Sequence, residues 1–179
     1  MKKTIILVFT TFLIIISYFC GYRMNKCKNE NSLNKYLNNL ISSKKHCNSY
    51  QYYFFFIVSP MDCPACIQFI KSKKFVINLK SVMKKNNKKV FIEFIIYGNI
   101  EKEEKNEFVK NIKDEVGVTF EKRKIIEVFL TKSFGKVYTP LVIILNHSGR
   151  MKYWRTFYVK GMDYERPYLK FINSLGGML

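Results

Sequence analysis

A chain of 179 residues is the length of one domain, and 48% hydrophobic and 16% aromatic residues beside only 8 Gly and 4 Pro exclude the collagen-like, disordered and low-complexity classes. The 31 basic residues exceed the 13 acidic ones by 18, a balance that raises nucleic acid or an anionic membrane as partner. Only five of them are Arg, however, the residue suited to bidentate contact with guanine and phosphate, and the lysines are scattered, so the chain reads as generically basic and not as a nucleic-acid reader.

Met1, Lys2 and Lys3 precede an uncharged apolar run from Thr4 to Tyr22. Its 19 residues just span a bilayer core of about 30 Å and exceed the 7 to 15 residues of a signal-peptide core. Residues 1–22 therefore read as a transmembrane anchor or signal segment. An uncleaved anchor, a lipoprotein modified at Cys20 and a secreted form all remain open. Residues 23–49 are polar and Asn-rich, as in a tether, but Leu33, Tyr36, Leu37, Leu40 and Ile41 recur at helical spacing behind Asn31 or Ser32 as N-cap. This predicts a short amphipathic helix that docks on the domain or lies at the membrane surface. Cys27 and Cys47, separated by 19 residues, either pair in an oxidising compartment or stay single.

The predicted domain occupies 50–179. Tyr52 to Val58 is an aromatic and branched run, as in a strand buried on both faces, and Ser59-Pro60 ends it. Cys63-Pro64-Ala65-Cys66 follows, then a helical pattern through Phe69, Ile70, Val76, Leu79 and Met83 that Asn86-Asn87 breaks. Lys89 to Tyr97 reads as a second strand, Glu101 to Val116 as a helix stopped by Gly117, Val118 to Phe120 as a short extended piece, and the stretch around Ile125 to Phe134 as a helix ending at Gly135. Leu141 to Leu145 and Met151 to Val159 flank Asn146-His147-Ser148-Gly149, a hairpin signal, and a last helix covers about Tyr164 to Leu175. Strands separated by helices pair in parallel, while the hairpin adds antiparallel strands. The predicted fold class is thus α/β, a mixed sheet flanked by helices.

A Cys-x-x-Cys at the start of a helix is suited to redox work. Cys63 at the N-cap meets free N–H groups and the positive end of the helix dipole, which favour a thiolate, although Asp62 opposes the shift. Pro64 fits the first turn, where its missing N–H costs nothing. Cys66, one turn deeper on the same face, is placed to resolve a mixed disulfide formed by Cys63. The bland alternatives are two inert cysteines, or half of a zinc site completed from Cys27, Cys47, His46 and His147.

Tyr52 to Cys66, the second strand and the Thr139-Pro140 strand with its Gly149 hairpin resemble the thioredoxin-like superfamily, specifically membrane-tethered TlpA-like thiol-disulfide oxidoreductases, over roughly 52 to 175, including the extra helical insert before the proline. The resemblance implies that Pro140 is the cis-proline facing the cysteines, that Thr139 offers backbone hydrogen bonds to a bound substrate strand, and that Pro64 and Ala65 support the motif. It implies disulfide exchange with protein substrates and a redox partner protein, without cofactor or metal, in a domain on the periplasmic side of a bacterial cell envelope. The chain departs from the pattern at Ile57, where many thioredoxins have a buried acid, and at Phe69 and Lys71, where TlpA-like reductases have Glu and Pro. Glu93 is then the nearby strand acid, and it reads as a surface residue. The competing class is copper delivery, since Met61-x-Cys63-x-x-Cys66 also matches a Cu(I) motif and a Sco-type protein would add His147 as third ligand; that family spaces its cysteines by three residues, not two.

Overall fold

The computed structural model describes residues 32–43, 49–60, 74–112, 116–135, 140–157 and 165–178. Five strands form one sheet: β1 (Tyr52–Val58), β2 (Val90–Tyr97), β3 (Gly117–Glu121), β4 (Leu141–Asn146) and β5 (Met151–Thr156), in the order β3-β2-β1-β4-β5. β1, β2 and β3 are parallel, while β4 runs antiparallel to β1 and β5 antiparallel to β4. With helices on both sides, this is the predicted α/β fold, a mixed sheet flanked by helices. The described helices are α1 (residues 32–42), α2 (Lys74–Lys85), α3 (Lys102–Ile112), α4 (Arg123–Phe134) and α5 (Glu165–Met178).

Alternation along the strands divides the core in two. Phe54, Phe56 and Val58 of β1, with Ile92, Phe94 and Ile96 of β2 and Val142 and Ile144 of β4, meet Phe75, Val76, Leu79 and Met83 of α2 and Tyr168, Phe171, Ile172 and Leu175 of α5. On the other face Tyr53, Phe55, Ile57, Ile143 and Leu145 meet Leu33 and Leu37 of α1 and Ile126 and Leu130 of α4. An unbroken apolar run suits β1 because it is central and covered on both faces.

Helix α1 is docked on the sheet, one of the two placements its pattern allowed: Leu33 and Leu37 are 0% exposed, and Tyr36 stacks on Phe129 of α4 at 5.1 Å. α2 closes as expected at Asn86-Asn87. Asn87 takes a left-handed φ of 54°, its N–H donates to the Lys84 carbonyl and the Lys88 N–H to that of Met83, which satisfies carbonyls that the helix end leaves open.

Three expectations are corrected. Gly117, expected to stop the helix described over Lys102–Ile112, instead opens β3 opposite Glu93. The glycine is needed there for close approach, because a Cβ would fall on the Glu93 carboxylate. Glu93 is not a surface residue but 1% exposed: its face of β2 turns toward the α1–α4 side, and the Thr119 hydroxyl of β3 donates to its Oε1 at 2.6 Å. β5 also ends sooner than the pattern suggested, at Thr156, where Phe157 turns into the core onto Tyr168.

Among the described residues no helix is long and apolar enough to cross a membrane. The 4–22 run, Cys20, Cys27, Cys47 and His46 lie outside them.

Candidate active site

From β1 the chain proceeds to β2 and β3 on one side, and it later returns to place β4 and β5 on the other. The carboxyl end of β1 is therefore the point where strand order reverses, the place where α/β sheets bind ligands. Val58 ends β1 there, and Ser59, fully buried, and Pro60 follow it. Cys63 is five residues beyond Val58 in sequence. Cys63, Pro64, Ala65, Cys66 and Thr139 lie outside the described residues, whereas Pro140 is described and buried.

Pro140 stands at the same end of the sheet. Leu141, the first residue of β4, pairs with Ile57, so the proline is level with the last residues of β1. Its carbonyl accepts the Phe157 N–H at 2.8 Å, and its lack of an N–H is harmless at the start of a strand. Phe157 stacks on Tyr168 of α5 at 4.5 Å, and Tyr168 meets Phe75, in the first turn of α2, edge-on at 5.1 Å. This aromatic block couples the beginning of α2 to the strand that presents Pro140. Burial pushes the Tyr168 phenol well above the ordinary tyrosine range.

A second polar group, which no local pattern announced, lies on the opposite face. The Tyr36 hydroxyl of α1 donates to Glu121 Oε1 of β3 at 2.9 Å, beside the Thr119–Glu93 hydrogen bond. Burial first, then the hydrogen bond to Glu121 and the charges of Glu121 and Glu93, raise the Tyr36 phenol far above its usual value. Glu93 pairs with Phe55, three residues before the end of β1, and faces α1 and α4 rather than the α2 side. It is part of this buried network and not a counterpart of a thiol-side acid. His147 follows Asn146, which pairs with Tyr52; six strand residues at about 3.3 Å each put it about 20 Å from the Val58 end.

No protein-family model matches the sequence, and no curated protein does. Several solved structures are similar. A secreted Mycobacterium tuberculosis disulfide oxidoreductase homologous to E. coli DsbE is 13% identical over 72% of this chain and 79% of its own, with a TM-score of 0.42. StoA from Bacillus subtilis is 16% identical over 73% of this chain and 84% of its own, with a TM-score of 0.42. The exposed lipoprotein thioredoxin of Streptococcus pneumoniae is 9% identical over 75% and 89%, with a TM-score of 0.44. At such identities and scores they assign neither activity nor site residues to this chain, whose strand order and register stand on their own.

Proposed function

We propose that the chain is an extracytoplasmic thiol-disulfide oxidoreductase, tethered to the bacterial cell envelope through residues 4–22, that exchanges disulfides with protein substrates through Cys63 and Cys66. The observation that carries this reading is the pairing of Ile57 with Leu141, which sets Pro140 level with the end of the strand that leads into Cys-Pro-Ala-Cys. In the fold this chain resembles, a proline at this position faces the motif, leaves an extended peptide as partner and excludes a further metal ligand.

In the reducing direction the Cys63 thiolate attacks one sulfur of a substrate disulfide. A mixed disulfide forms, and the other substrate sulfur leaves as a thiolate. The Cys66 thiolate then attacks the Cys63 sulfur, which releases the second substrate thiolate and leaves Cys63–Cys66 oxidised; two protons from solvent complete the substrate dithiol. A redox partner protein restores the dithiol, and the reverse sequence oxidises substrates. Thr139 and Pro140 present the edge against which the substrate strand lies. The test is Cys66→Ser in the full chain: it should accumulate a mixed disulfide through Cys63, and Cys63→Ser should not. Trapping through Cys66 alone reverses the roles, and trapping by neither variant overturns the proposal.

A further inference from the structure

At the end of the sheet opposite Val58, the start of β1 meets the α2–β2 turn and the β4–β5 hairpin, and Gln51, Tyr52, Lys88, Asn146, His147 and Lys152 line an open cavity of about 300 Å³. Hydrogen bonds sort what these residues offer. Gln51 Oε1 accepts the Lys89 N–H at 3.2 Å, while Asn146 Oδ1 accepts the Arg150 N–H at 2.9 Å and the Ser148 hydroxyl at 2.8 Å. With both amide oxygens engaged, their NH₂ groups remain for the cavity, together with the ammonium groups of Lys88 and Lys152 and the His147 ring.

Among the described residues no carboxylate lines this cavity and neither lysine is ion-paired. Lys88 Nζ instead sits 5.8 Å from the centre of the Tyr52 ring, which holds the cation at the cavity wall. Two like charges sharing one recess repel each other, and an anion between them relieves that repulsion. Two ammonium groups match a phosphate of charge about −1.5 to −2, whose oxygens also accept from the amide groups, and lysine binds phosphate as a point charge.

We propose that this cavity binds a phosphate group, carried by a free phosphorylated solute or by a lipid headgroup. The site lies at the opposite end of β1 from the segment that leads to Cys63, and it does not rest on the proposed exchange chemistry.

The chain has only two histidines, so the His147 ring resonances, assigned with His147→Gln, report occupancy directly. The full chain is titrated in zwitterionic detergent with inorganic phosphate and with glycerol 3-phosphate. In a second arm it is placed in phosphatidylcholine nanodiscs with and without phosphatidylglycerol. A saturable His147 shift in the first arm identifies a free solute, and a shift only with the anionic lipid identifies a headgroup. Lys88→Gln, at a half-buried position outside the core, and Lys152→Gln, at an exposed one, should each weaken binding about tenfold or more, the loss of one charge-assisted contact. No saturation in either arm up to about 10 mM ligand, or unchanged affinity in the double variant, overturns the proposal.

Discussion

Glu93 shows how much depends on a residue that its neighbours in sequence do not explain. It interrupts the apolar run of β2, yet a Thr from β3 donates to its Oε1 and a Gly from β3 makes room for it. Thr119→Val removes a donor from a buried carboxyl and should cost about 1 to 3 kcal/mol in denaturant unfolding, whereas Thr119→Ser should cost less because it keeps the hydroxyl. Gly117→Ala should cost about as much through overpacking. The raised phenols of Tyr36 and Tyr168 have a consequence at high pH. Each keeps its proton in the folded state after the unfolded chain begins to lose it near pH 10, so their contribution is complete below that pH and falls as pH rises through it. Stability measured from pH 9 to 11 should therefore decline, and Tyr36→Phe with Tyr168→Phe should flatten the decline. An unchanged slope contradicts the assignment.

The elements differ in how plainly the sequence announces them. The apolar spacing of α1 is legible, but its docking depends on remote residues: Tyr36 reaches Glu121 on β3, and the Asn38 amide donates to the Gly149 carbonyl of the hairpin at 3.2 Å, 111 residues away. Gly149 has a φ of 71°, a turn conformation that favours glycine, and a Cβ there would displace the Asn38 amide. Leu37→Ala, at a fully buried position, should destabilise the protein by about 2 to 5 kcal/mol in calorimetry or denaturant titration. If α1 were an undocked tether, the same change would leave stability within about 0.5 kcal/mol. Gly117 shows the same dependence on remote residues. A glycine after a helical pattern is a stop signal by local rules, whereas Gly117 serves a strand contact with Glu93, 24 positions earlier in the chain.

For the whole molecule, the order of strands and helices and the Cys-x-x-Cys position are written in local patterns, because apolar runs, Asn and Gly stops and the hairpin turn each act over a few residues. The polar network of Tyr36, Glu121, Thr119 and Glu93 and the basic cavity around Lys88 and Lys152 are not, since each gathers single polar residues from three or more segments. Together these features describe one sheet whose β1 leads at its carboxyl end toward the cysteine motif of the proposed exchange chemistry, with a basic recess at its other end. The most direct test of the exchange chemistry is a titration of the full chain in glutathione buffers, with alkylation and peptide mapping at each potential. Cys63 and Cys66 are expected to titrate together as one two-electron couple between about −270 and −120 mV, and Cys63→Ser should abolish it. Two thiols that stay alkylatable across the whole range, in a chain that instead binds one Cu(I) tightly and exchanges no disulfide, would contradict it.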